Sequence, residues 1–225
     1  EILRMKKFVI YSVAGILSLF ATFVMLMPSS WEQQVIEWTT YSKLELLFIT
    51  AILLLVYSVI VKNQFTFDDV AFVILSTLYV GMGFYYLIAT RDAGLAYIIF
   101  ALLVVWTTDS GAYFTGRRFG KNKLWPEISP NKTVEGFVGG IVIAVIAVII
   151  MQLISPFDVS WVVLILIAIV SSIFGQMGDL VESAIKRHYD VKDSGNILPG
   201  HGGILDRFDS LLFVLPLLNL LHFVS

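Results

Sequence analysis

The sequence predicts an all-α fold, a polytopic transmembrane helix bundle of about seven spans, and three observations predict it. The first is composition: 58% of residues are apolar, 14% are charged and the mean hydropathy is +0.86. An ordinary soluble domain is about 25% charged. The second is run length, because a soluble core is built from helices broken every 10 to 15 residues or so, whereas this chain repeats apolar runs long enough to cross a bilayer. The third is the distribution of Lys and Arg between the runs. The formal net charge of -2 says little about partners, since position matters more than total in a membrane chain. The absence of cysteine excludes disulfides, a thiolate nucleophile and Cys-ligated zinc or iron-sulfur centres.

The seven candidate spans are Phe8 to Met27, Leu44 to Val61, Val70 to Thr90, Gly94 to Phe114, Gly136 to Ile154, Ser160 to Gly178 and Ser210 to Val224. Each approaches the length needed for about 30 Å of hydrocarbon. The Phe8 to Met27 run is too long for a signal-peptide core, and Pro28-Ser29-Ser30 is not a small-x-small cleavage site. Because the chain opens on Glu1, further N-terminal spans are expected to be missing from this sequence. No repeat, low-complexity tract or linker interrupts it, so residues 1–225 read as a single integral membrane domain, with the motif-bearing part at 94–225.

Two connections are long: Thr115 to Glu135 and Asp179 to Asp209. If Arg4, Lys6 and Lys7 lie in the cytoplasm and the spans alternate, thirteen of the fifteen Lys and Arg fall on that side. Only Lys43 and Arg91 fall outside. Both long loops then face the cytoplasm, where nucleotides are, and the site is expected at the cytoplasmic boundary of a bacterial cell membrane.

On an unbroken helix Asp179, Ser183 and Lys186 stand at i, i+4 and i+7 on one face, with Glu182 beside them. Such a helix end can hold a metal and phosphate oxygens, or it can be an interfacial end whose charges are solvated. Asp206 and Asp209, at i and i+3, can address one cation, and Arg207 adds a planar donor for phosphate. Gly202 and Gly203 leave backbone amides free to approach a polyphosphate, and His201 is read either as a loop hydrogen-bonder or as a catalyst. Asp109 ends an uncharged run that begins at Gly94, where a carboxylate is costly unless paired or bound to a cation. Arg117, Arg118, Lys121 and Lys123 read as topogenic charges. Asn131 or Thr133 can cap the following helix and leave its amides facing an anion.

Together these residues spell Ser183-x-x-Lys186-Arg187-x4-Lys192-Asp193 and then His201-Gly202-Gly203-x-x-Asp206-Arg207-x-Asp209. That pattern resembles the signature of the phosphatidate cytidylyltransferase family in every element. The resemblance extends through Asp109-Ser110-Gly111-Ala112-Tyr113, Gly116-Arg117-Arg118-Phe119-Gly120-Lys121 and Ser129-Pro130-Asn131-Lys132-Thr133-x-Glu135-Gly136-x-x-Gly139-Gly140. The amino-terminal third matches only as hydrophobic spans.

The resemblance implies transfer of the cytidylyl group of CTP to phosphatidic acid, giving CDP-diacylglycerol and pyrophosphate. The attacking phosphate is already ionised, its second pKa lying near about 6, so no general base is needed. The obstacle is repulsion between two anions, which calls for cations. The resemblance assigns Asp179, Asp206 and Asp209 to metal, Ser183, Lys186 and Arg187 to phosphate, and Asn131 with Lys132 to the nucleotide. Asp109, Thr133, Lys192, Asp193, His201, Gly202, Gly203 and Arg207 complete the substrate contacts. The metal is implied to be Mg2+, with room for K+ as a second cation. The implied partners are CTP, phosphatidic acid and membrane lipid, with no nucleic acid and with a homodimer left open. Two rival readings are a CTP-dependent kinase acting on a polyprenol or phytol, which needs a base for its alcohol, and a cation transporter. Against the transporter, the carboxylates gather at one membrane face and none falls mid-span.

Overall fold

The computed structural model describes residues 1–197, 199–200 and 202–224. They form two compact units, residues 1–89 and 90–225, and every described motif residue lies in the second.

The first unit holds α1 (Ile2–Met5), α2 (Val13–Leu26), α3 (Ser29–Thr39), α4 (Lys43–Ile60) and most of α5 (Phe67–Ala93). Local sequence sets these boundaries. The Ser12 hydroxyl accepts from the Gly15 N–H at 3.2 Å and starts α2. Pro28 keeps Met27 out of helical conformation, and the chain turns by 118° into α3. Helix α3 buries none of its residues and exposes Trp31, Ile36 and Trp38. A reciprocal Ser42 and Glu45 capping box opens α4. Thr66 and Asp69 do the same for α5, with Asp69 accepting from the Thr66 N–H at 2.7 Å. The interior is aliphatic and aromatic: Ala14, Leu54, Phe65, Val70 and Val73 are buried, and Phe8, Tyr57 and Phe72 pack around them.

The second unit holds α6 (Leu95–Phe119), a hairpin of β1 (Lys123–Trp125) and β2 (Ser129–Thr133), α7 (Val134–Ile154), α8 (Trp161–His188), α9 (Leu205–Phe208) and α10 (Leu211–Leu220). The hairpin is antiparallel, pairing Lys123 with Thr133 and Trp125 with Ser129, and is the only sheet among the described residues. Helices α6 and α7 approach backbone to backbone. A Cβ on Gly136 would lie 2.8 Å from the Ala112 carbonyl oxygen, and one on Gly140 2.8 Å from that of Thr108. Only glycine fits such a crossing. Helix α8 packs against α6, α7 and α10, and a buried Thr108 hydroxyl donates to the Ser172 hydroxyl at 2.8 Å across the α6 and α8 contact.

Five helices, α4 to α8, are long and apolar enough to cross a membrane, or six if the bent α2 and α3 pair counts as one span. The chain is therefore a multi-pass membrane protein, with fewer full crossings than the seven expected. The difference lies at the two ends. The expected Phe8 to Met27 span forms only the 14-residue α2, about 21 Å at the usual rise, before the turn at Pro28. The expected Ser210 to Val224 span forms the 10-residue α10, with Pro216 inside it, about 15 Å long. An apolar run shows hydropathy but not where the helix within it breaks.

Candidate active site

A cavity of about 440 Å³ opens within the second unit where α6 ends, the hairpin turns back and α7 begins. Asp109, Tyr113, Gly116 and Arg117 of α6 line one side, and Leu124, Asn131, Lys132 and Thr133 of the hairpin line another. Gly136 and Phe137 of α7 and Gln176 and Asp179 of α8 complete it. Thr133 positions two of these walls. Its hydroxyl caps α7, accepting from the Gly136 N–H at 3.1 Å. Glu135 then ties the preceding turn down, accepting from the backbone N–H of Lys121 at 3.1 Å and from the Asn122 side chain at 2.8 Å. The N-terminus of a 21-residue helix thus faces the cavity, where its dipole favours an anion.

The charges in the cavity are opposed. Lys132 Nζ lies 2.6 Å from Asp179 Oδ2, and Ser183 donates to Asp179 Oδ1 at 3.3 Å. Helix α8 runs unbroken to His188, as the spacing of Asp179 and Ser183 requires. Asp209 comes close because Gly178 has no side chain: a Cβ there would stand 2.6 Å from the Asp209 carbonyl oxygen. Burial pushes the Asp209 carboxyl up, to about 7, and the negative charges of Asp179 and Asp109 add to that, against a 2.6 Å hydrogen bond from the Ser210 N–H and the charge of Lys186. Asp109 and Asp179 thus line the cavity, and Asp209 is near enough for their charges to act on it.

Lys186 does not join them. Its ammonium pairs with Glu182, one turn back, and with Asp206 Oδ1 at 2.8 Å. Asp206 Oδ2 accepts from the Ser194 N–H at 2.9 Å, the Ser194 hydroxyl at 2.8 Å and the Gly203 N–H at 2.7 Å. Asp206 and Asp209, expected to address one cation, thus turn to different partners. The short α9 carries Asp206 to the loop and leaves Asp209 at the α8 backbone. Gly202 is also committed, since at φ 79° its missing Cβ would lie 2.7 Å from Asp206 Oδ2. The Gly203 amide, expected to face a polyphosphate, is directed to Asp206 instead. Arg187, Lys192, Asp193 and Arg207 are exposed, and His201 lies outside the described residues.

Among the described residues no three His, Asp or Glu side chains stand close enough together to form a complete protein cage for a metal. Mg2+ does not need one: it is commonly held by one or two carboxylates, with substrate phosphates and water filling the remaining positions. Asp179 and Asp209, hard oxygen donors whose mutual repulsion a cation relieves, fit that pattern. Asp206 fits it less well, because both its oxygens are already engaged.

Sequence reasoning missed Gln176, Tyr113, Leu124 and Phe137 as lining residues and read Arg117 as topogenic. Gln176 carried a usable signal, an amide inside an apolar run one turn before Asp179; its Nε2 donates to the Phe137 carbonyl at 3.2 Å. The aromatic and aliphatic walls carried none.

Carboxylates, a lysine and a helix N-terminus converging beside a cavity in a multi-pass bundle define a class of protein, membrane enzymes that handle phosphorylated substrates. Comparison with known proteins narrows it: the chain belongs to the Cytidylyltransferase family, which matches residues 1–225. It is 55% identical over 224 residues to a phosphatidate cytidylyltransferase of Bacillus subtilis (strain 168), covering 98% of this chain and 82% of the relative. Similar proteins of the same name occur in Staphylococcus haemolyticus (strain JCSC1435), 52% identical, and Staphylococcus aureus (strain COL), 48% identical, each over 98% of this chain and 84% of the relative.

Proposed function

We infer that the protein transfers the cytidylyl group of CTP to phosphatidic acid, forming CDP-diacylglycerol and releasing pyrophosphate for phospholipid synthesis. The observation that carries this reading is the Lys132 and Asp179 pair, set in a cavity at the N-terminus of α7, within a chain of this family. Asn131 and Lys132, beside the positive end of the α7 dipole, bind the polyphosphate. Lys132 is held beside the site by Asp179 until an anion competes for it. Arg117, on the opposite wall, offers a planar guanidinium to a second phosphate. The phosphatidate oxygen attacks the α-phosphorus as the bond to the β,γ-diphosphate breaks, and no base is required because that oxygen is already ionised. Asp179 and Asp209, with Asp109 beside them, are the residues to hold Mg2+, which would neutralise phosphate charge and stabilise the departing pyrophosphate. K+ as a second cation belongs to the same reading.

Radiolabelled CTP tests the reaction directly. Purified protein given phosphatidate should place α-label in lipid and release γ-label as pyrophosphate. Transfer of γ-label to a lipid alcohol would instead make the protein a kinase. The site is proposed to face the cytoplasm of a bacterial cell. Cysteines replacing Asn196 and Ser155, both exposed, should then label from the cytoplasmic and the opposite side respectively, and the reverse pattern overturns that orientation. A homodimer is compatible with the same reading and is tested by cross-linking in native membranes.

A further inference from the structure

Among the described residues Glu182 is the only charged side chain that is buried, at 0% exposure. A carboxylate in such a place is costly unless paired, and its one cation is Lys186. Both Glu182 oxygens are buried, and the ammonium they meet is that of Lys186. Lys186 also meets Asp206, at 2.8 Å, and that pair would be electrically complete by itself. Glu182 is thus one acidic group more than the charge of Lys186 requires. Stability does not call for this arrangement, because buried ion pairs are often replaced by apolar residues without loss.

The arrangement does determine where Lys186 points. A lysine ammonium rides on a flexible four-carbon stem, and Lys186 is near enough to Asp209 for its charge to act on that carboxylate. With Asp206 alone as partner, Lys186 could turn toward the carboxylates of the cavity. Glu182, one helical turn before it on α8, draws the ammonium back toward Asp206. Asp206 in turn gathers donors from two separated points of the loop, Ser194 and Gly203. The line of contact runs from the buried face of α8 through Lys186 and Asp206 to the loop backbone, three residues before Asp209.

We propose that Glu182 is a positioning residue that acts through Lys186 to keep Asp206 seated on the loop backbone at Ser194 and Gly203, so that the loop and Asp209 stand preorganised beside the cavity. The proposal rests on the cytidylyl-transfer reading for its kinetic consequence but not for its structural one.

Hydrogen exchange and steady-state kinetics on the full chain in detergent or nanodiscs test both. In Glu182→Gln the amides of Ser194 and Gly203 should exchange at least about tenfold faster while those of α7 keep their protection. The kcat/KM for CTP should fall about 10- to 100-fold, the range seen when groups that orient a site are removed. Asp206→Asn should loosen the same two amides, and the double variant should be no worse than the worse single one. Should Glu182→Gln fail to fold, the charge-free pair Glu182→Leu with Lys186→Met must fold and show the same two loosened amides. Normal protection at Ser194 and Gly203 overturns the proposal, as does faster exchange spread evenly over the helices, which would make Glu182 a structural residue only. If the wild-type protein makes no CDP-diacylglycerol, the functional reading fails while the amide result still decides the role of Glu182.

Discussion

The two units are built from different kinds of contact. In the first, side chains do the packing between helices: Phe8 meets Phe65 and Phe72 at 5.7 and 6.0 Å, Gly81 faces the Met25 Cβ, and the backbone contact of Gly15 with the Ile10 carbonyl is a local one, five residues back. In the second, backbone meets backbone. Gly136 and Gly140 of α7 lie against carbonyls of α6, and Gly178 of α8 against that of Asp209. Side-chain packing tolerates exchange of one apolar residue for another of similar volume. Backbone contact does not, and it fixes the polar groups nearby to within the width of a methyl group. The unit that carries the chemistry is the one whose geometry cannot drift.

The largest break in this comparison should come from charge. Asp179→Asn or Asp209→Asn should lower turnover by about 10²- to 10³-fold with helix content unchanged, the loss typical of a group that stabilises developing charge. Leu54→Ala, in the first unit, should instead lower stability by about 2–5 kcal/mol while turnover per folded molecule stays near normal. Activity assays across a magnesium titration, paired with thermal melts, read both; aspartate variants with normal turnover would dissolve the distinction. Next comes bulk. Gly140→Ala forces a Cβ against the Thr108 carbonyl oxygen, 2.8 Å away, and should be destabilising by about 1–3 kcal/mol, whereas Gly175→Ala meets nothing closer than the Val214 Cγ2, at 3.3 Å, and should be milder. Equal melting shifts in the two variants would remove the contrast between backbone and side-chain packing.

A smaller effect is expected of acid. Burial acts against the Asp206 charge, but hydrogen bonds from Lys186, Gly203 and Ser194 outweigh it and hold the carboxyl below the usual carboxylate range. A carboxyl with a depressed folded pKa adds stability that is fully present above its unfolded pKa, about 3.9, and is lost as pH falls through the folded value. The melting gap between wild type and Asp206→Asn should therefore be flat from pH 8 to 5 and close only below about pH 4. A gap that changes near neutrality would contradict the hydrogen bonding described for Asp206. The smallest effect belongs to Lys121→Ala, which leaves the backbone N–H that Glu135 uses and should change activity less than about twofold.

Most of the second unit was legible before the structure because its polar residues interrupt apolar runs and so declare themselves. Asp179 with Ser183, and Thr133 as a helix cap, follow from spacing and capping chemistry alone. The parting of Asp206 from Asp209 was not legible. Their i and i+3 spacing does put them on one helical turn, since Asp209 and Ser210 keep right-handed helical backbone beyond α9, but a shared turn does not say which partners the two side chains take. Nor was the role of Gly202 and Gly203, since two glycines announce that a backbone comes close to something without saying to what. The helices at the two ends came out shorter than their apolar runs for a related reason: hydropathy is a sum over residues, while Pro28 and the 118° turn are local events that a sum does not register.

That turn has a consequence for how the first unit sits in a bilayer. Helix α3 exposes its tryptophans, Trp38 at 89%, and indole rings partition to the headgroup level. The 18 residues of α4 begin four residues past α3 and measure about 27 Å, close to a hydrocarbon thickness of about 30 Å. Helix α3 is therefore suited to float at that level, with α4 the span that leaves it. In a thicker bilayer α4, already slightly short, has no spare length to give, so the membrane must thin around it.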